Sequence, residues 1–202
     1  MNAFKIDEIK GRCMPLRGSN IDTDRILPAR FLKEITFENM GKYLFYDERF
    51  DGIGNPKEHV FNDPVFSGSS ILIVNSNFGC GSSREHAAHA LKRFGIVAII
   101  GESFSTIFAS NCLSLGIPAL KLSSFVIESI MKLIEDNPST EFHISIPEKT
   151  IAFRGKKIIF DIPADVEKML LTGNWNSTEM LLDNIGLIKI TAANLPYANN
   201  FK

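Results

Sequence analysis

The chain has 202 residues, 45% apolar and 22% charged, with 22 basic side chains against 23 acidic ones and a formal net charge of −1. A chain this long buries roughly 70% of its unfolded surface, so it needs no disulfide or metal to hold a core, and the composition excludes disorder and a collagen-like repeat. Without a basic run or an uncharged apolar window near 18 residues, neither nucleic acid nor a membrane is an expected partner. The opening segment carries Lys5, Asp7, Glu8 and Lys10 and no long apolar stretch, so it does not read as a signal peptide, and a cytoplasmic address is expected. Cys13, Cys80 and Cys112 are odd in number and widely spaced. They fit neither a disulfide framework nor a C-x-x-C metal site.

Residues 9–16 read as an opening strand that runs into the polar turn RGSNIDTD. A short helix is expected around 28–44, and the Gly-, Pro- and Asn-rich stretch 52–70 reads as a long surface excursion. Ile71–Val74 is a short apolar strand, followed by the turn NFGCGSS and a helix from Arg84 with Ala87, Leu91 and Phe94 on one face. Gly95 ends that helix, and IVAII (96–100) reads as a buried strand. A second helix places Phe104, Ile107, Phe108, Cys112 and Leu115 at helical spacing, stopped by Gly116 and Pro118. A third, near Phe125–Asp136, turns Val126, Ile130, Met131 and Ile134 inward. Strands alternating with helices predict a layered α/β body. Beyond Pro138 the segments FHISIP, TIAFRG and KKIIFDIP read as a β-meander, a β-rich annex. Helices are expected near 164–172 and 177–190, with 191–202 wrapping the surface. One domain over 1–202 is expected, with a core at about 9–165 and a helical extension at about 166–202.

The segment most suited to chemistry is Asn77-Phe-Gly-Cys-Gly-Ser-Ser-Arg-Glu-His86, between a strand and a helix. Gly79 and Gly81 allow a sharp turn and close approach to a ligand. Ser82 with Glu85 three residues on fits a capping box, which predicts a helix start there. Such a start offers free N–H groups and partial positive charge to an anion, and Arg84 adds a fork for a carboxylate. The same residues also fit a plain glycine-rich turn with a capping serine. The spacing lacks the Lys of a P-loop, the G-x-S-x-G of a nucleophile elbow and the third Gly of a dinucleotide fingerprint. In Asn20-Ile-Asp-Thr-Asp-Arg-Ile26, Asp22 and Asp24 suit either the orientation of a base or Arg, or an Asx turn. His86 and His89 lack a third ligand nearby, Cys80 reads as a packing residue, and Trp175 as a packing anchor.

Together, NIDTDRILPARFLK (20–33), YLFYDERF (43–50), NFGCGSSREHA (77–87) and ESFSTIFASNCLSLGIPAL (102–120) resemble the small-subunit family of 3-isopropylmalate dehydratase, which is similar to the C-terminal swivelling domain of aconitase. The resemblance anchors roughly residues 9–120 and weakens at GNWNSTEMLLDNIG (173–186), where the family usually shows Gly-Leu-Asp-Asp-Ile. It implies a swivelling β/β/α fold and interconversion of 2- and 3-isopropylmalate by dehydration and rehydration, in leucine biosynthesis. It also implies no cofactor on this chain and a four-iron–four-sulfur cluster on a large-subunit partner. By position, Ser82 matches the alkoxide base, Ser83 and Arg84 the substrate-carboxylate contacts, and Asp24 an aspartate lining the cleft; Gly81 is expected beside the substrate. Phe31 and Leu32 suit an isopropyl group, while Arg30 and Arg49 are candidates for the extra arginine of aconitase relatives. A sister hydro-lyase acting on a citraconate, citramalate, dimethylmalate or homoaconitate-type acid is the alternative, and a non-catalytic anion-binding module is another.

Overall fold

Short runs of β-branched residues punctuated by glycine build the centre of the molecule. The computed structural model describes residues 4–199. β1 (Glu8–Leu16) leads through a polar loop to α1 (Thr23–Ile26) and α2 (Tyr46–Arg49). Then come β2 (Ile71–Val74), α3 (Glu85–Phe94), β3 (Ala98–Gly101), α4 (Thr106–Leu113), β4 (Ala119–Lys121) and α5 (Ser124–Asp136). The chain continues through β5 (Glu141–Ser145), β6 (Thr150–Phe153), β7 (Lys156–Ile159), α6 (Ala164–Thr172), α7 (Ser177–Asp183) and α8 (Ile185–Asn194).

Among the described residues, seven strands share one sheet, in the order β4-β3-β2-β1-β5-β6-β7. The first four run parallel, with Cys13 opposite Ile71 and Ile71 opposite Ala98. β2 and β3 are buried along their whole length, as strands covered on both faces require. On its other edge β1 pairs antiparallel with β5, so the meander is not a separate annex but a continuation of the same sheet. A bridge between Lys121 and Asp161 draws the two far edges toward each other and curls the sheet.

α3 turns Ala87, Ala88, Ala90 and Leu91 inward and ends at Gly95, whose left-handed backbone (φ 111°) lets its N–H reach the Leu91 and Lys92 carbonyls. α5 buries Ile127, Ile130, Met131 and Ile134, with Val126 at the margin. α4 is shorter than its apolar spacing implies: Phe104 and Leu115 lie outside it, and Ile107 is 51% exposed. β4 went unpredicted because three residues carry too little pattern.

The helix expected at 28–44 is instead two 3-10 turns, Ala29–Lys33 and Met40–Tyr43. The second packs so closely on the end of α3 that a Cβ on Gly41 would lie 2.7 Å from the Arg93 carbonyl carbon. The 52–70 stretch runs over the surface but is pinned by the buried rings of Phe61 and Phe66. The helix expected at 177–190 breaks at Asn184 into α7 and α8. Residues 191–198 do not wrap the body; only Leu195 among them is even half-buried, and the expectation for 200–202 lies outside the described residues.

Candidate active site

In an open α/β sheet, ligands bind beyond the carboxyl ends of the parallel strands, where loops meet free helix N-termini. Here the loops after β1 and β2 are zipped together at that end. The Asn20 N–H donates to the Ser76 carbonyl (2.9 Å), the Gly79 N–H to Ile21 (2.8 Å) and the Thr23 N–H to Cys80 (2.9 Å). The Asn77 side-chain amide donates to the Asn20 side-chain oxygen at 2.8 Å. Both asparagines sit in the left-handed region, at φ 58° and 57°, where Asn is better tolerated than other side chains. Gly79 (φ 75°) is pressed on α4: a Cβ there would lie 2.1 Å from the Phe108 ring.

Thr23, buried at the start of α1, donates its hydroxyl to the Ser82 carbonyl at 3.0 Å. The Arg84 N–H donates to the same carbonyl at 2.8 Å, closing a tight turn around Ser83. This turn overrides the expected capping box. α3 starts only at Glu85, with Arg84 as the capping residue and no side-chain cap. The consequence favours chemistry, because a capping serine would spend its oxygen on a backbone N–H. Ser82 and Ser83 are exposed, and among the described residues neither hydroxyl has a hydrogen-bond partner. The backbone N–H groups of Gly81, Ser82 and Ser83 are likewise unpaired among the described residues.

Arg84 forms an ion pair with Asp24 through one terminal nitrogen. Asp22 serves differently, since its carboxylate accepts the Arg25 N–H at 2.8 Å and caps α1. Arg25 in turn forks onto Glu48 at 2.6 and 3.3 Å, tying α1 to α2. Glu48 lies 3.7 Å from His59, whose pKa burial lowers despite that carboxylate.

The structure thus brings together Asp24, Gly81, Ser82, Ser83 and Arg84. Phe31 and Leu32 sit apart on the 3-10 turn after α1, half-buried. Phe31 is stacked on Tyr43 at 4.1 Å and edge-on to Tyr46, and no hydrogen bond or ring contact joins it to the 81–84 loop among the described residues. Neither candidate extra arginine presents a free guanidinium. Arg30 pairs with Asp47 and lies over the Phe31 ring. Arg49 faces inward to the Asn62 side chain (2.9 Å) and the Leu44 carbonyl (3.1 Å), and its burial pulls its pKa down. His89 is stacked on Phe37 and lies 3.0 Å from Glu85, and the Trp175 indole donates to the Phe4 carbonyl at 2.7 Å.

The sequence reading missed Thr23, the Asn20–Asn77 pair, and Ser103, whose hydroxyl accepts the Asn77 N–H at 2.8 Å. Asparagines flanking both loops were the available signal, since Asn is the non-glycine residue best suited to left-handed turns. The thiols do not fit an iron–sulfur cluster. Cys13 and Cys112 are fully buried, with pKa values pushed up by desolvation, and Cys80 is half-buried. Among the described residues no group of three His, Cys, Asp or Glu is placed to hold a metal. No helix among them is long and apolar enough to cross a membrane. The 81–84 loop lines none of five surface cavities of 550–700 Å³ and stands open.

A sequence model of the aconitase C-terminal domain family matches residues 3–124. The 3-isopropylmalate dehydratase small subunit of Thermus thermophilus is 46% identical over 193 residues, covering 96% of both chains. That of Synechocystis is 38% identical, covering 96% of this chain and 95% of its own. These likenesses run well past residue 120. The crystal structure of a 3-isopropylmalate dehydratase from Methanocaldococcus jannaschii matches with a TM-score of 0.61 at 26% identity, covering 89% of this chain and 99% of that chain.

Proposed function

The chain belongs to the 3-isopropylmalate dehydratase small-subunit family, and on that premise we propose that Ser82 is the base that moves the proton of a malate-type substrate. The chain acts as the small subunit of a hydro-lyase in leucine biosynthesis, which gives it a large-subunit partner. The proposed substrate is 2-isopropylmalate, in the cytoplasm. The Lewis acid that draws off hydroxide is proposed to be a four-iron–four-sulfur cluster held by the large subunit.

The observation that carries this reading is the Ser82 hydroxyl, unpartnered among the described residues, on an exposed turn beside the Arg84–Asp24 pair. Dehydration beside a carboxylate needs a base for one C–H proton, and rehydration needs that proton returned. A serine is a weak base at its ordinary pKa, so its alkoxide must be stabilised. The first N–H groups of α3 and the Arg84 guanidinium supply positive potential at that point. Arg84 spends one terminal nitrogen on Asp24 and keeps its remaining N–H groups for a substrate carboxylate. Asp24 anchors the guanidinium through one nitrogen, while Ser83 and the Gly81 N–H offer further donors. The turn bearing Phe31 and Leu32 follows α1 directly and is proposed to meet the isopropyl group once a partner covers this face.

The test is reconstitution under anaerobic conditions with a cluster-loaded large subunit. The isolated chain should show no dehydratase activity, and the mixture should convert 2-isopropylmalate. Full turnover by the chain alone would overturn the reading. Comparing kcat/KM for isopropylmalate, citramalate and homocitrate identifies the substrate, since one methylene is worth only about 1–3 kcal/mol in a hydrophobic pocket.

A further inference from the structure

We propose that the C-terminal arm, residues 177–198, is an apolar strap that docks on the large subunit. This rests on the small-subunit reading above. The arm holds only three charged residues, Glu179, Asp183 and Lys189. Leu181, Leu182, Ile185, Leu187, Ile190 and Tyr197 are each 47–68% exposed, and no residue of α8 is buried. α7 and α8 pack chiefly on each other and on the closing turn. A helix that is apolar all round normally lies buried, so this one is built to be covered. The six side chains present on the order of 700 Å² to solvent, close to the ~800 Å² that one partner brings to a standard interface.

The root of the arm is fixed to the body. Trp175 is seated on Gly116, where a Cβ would approach its ring to 2.8 Å, and its indole is tied to the Phe4 carbonyl. The arm therefore leaves the body at a set place. Ser177 and Thr178 line one cavity of about 700 Å³ with Glu85, the residue after Arg84. The family gives this chain a large-subunit partner, and an uncovered apolar face of this size is what such a permanent partner covers. A second copy of this chain on the arm would compete for that same face.

The test uses the full chain carrying L181E and L187E together, both at exposed helix positions. Its Kd for the large subunit, read by titration calorimetry, should rise by on the order of 100-fold, the scale of interface hot spots. The kcat at saturating large subunit and the melting curve of the isolated chain should not move. A Kd within twofold of wild type overturns the proposal, as does a wild-type homodimer that the variant dissolves with its Kd unchanged. Hydrogen exchange on the wild-type complex needs no variant: arm amides should slow on binding, and unchanged exchange also overturns it. If the wild-type chain does not bind the large subunit at all, the small-subunit reading falls and takes the arm's role with it. Retained binding by the variant removes the arm's role alone.

Discussion

Ser82 is available for the proposed proton transfer because its neighbours relieve it of structural work. Its carbonyl is held twice, by the Thr23 hydroxyl and the Arg84 N–H, while its own hydroxyl has no partner among the described residues. Position without a competing hydrogen bond is what a proton-transfer group needs. Ser82→Ala should lower kcat of the reconstituted enzyme by on the order of 10³ and leave the affinity for the large subunit unchanged. An unaltered kcat would put the base elsewhere. The two aspartates of the Asn20–Ile26 segment divide the readings open to them. Asp22 is the turn-forming cap and Asp24 the partner of an arginine, a division that depends on which face of α1 each side chain takes.

At the scale of elements, the carboxyl end of the parallel strands is braced by charge. Arg17, just past β1, binds Glu135 at 2.6 Å and Glu128 at 2.8 Å on α5. Asn75, just past β2, donates to Glu128 and to Glu102 while accepting the Gly18 N–H. The Arg17 guanidinium first, then the Asn75 amide, holds the Glu128 carboxyl below the usual glutamate value. Its stabilisation is therefore full above the unfolded pKa of about 4.3 and is lost as pH falls through the lower folded value. Urea unfolding of wild type should show that decline, and Arg17→Met should flatten it. At neutral pH the variant should cost about 1 kcal/mol or less, because Arg17 and Glu128 are both nearly half exposed. An equal acid slope in both proteins would mean the brace contributes nothing.

Across the whole molecule, one curled sheet carries the proposed site loop at the carboxyl end of its parallel half, and the body ends in an arm rooted on Phe4 and Gly116. Trp175 holds that root, stacked edge-on to Phe4 and filling the space Gly116 leaves open. Trp175→Ala should destabilise the isolated chain by about 3 kcal/mol, measured by chemical denaturation, through lost packing and a part-buried hydrogen bond. It should also raise Kd for the large subunit more than it changes kcat. Wild-type stability in the variant would show that the root is not anchored there.

Amino-acid order alone determined the alternation of strands and helices, the meander and the identity of the 77–86 loop, because hydrophobic period, glycine punctuation and motif spacing are local properties. Tertiary contacts decided the rest. The serine that satisfied a local capping pattern was withdrawn from it by Thr23, which lies 59 residues away in the chain. The segment around 28–44 broke into 3-10 turns where it met the end of α3, and the meander joined the main sheet because β1 had a free edge to pair with β5. Hydrogen bonds and close packing between distant segments outweigh propensities worth a fraction of a kcal/mol per residue, and no local window contains them.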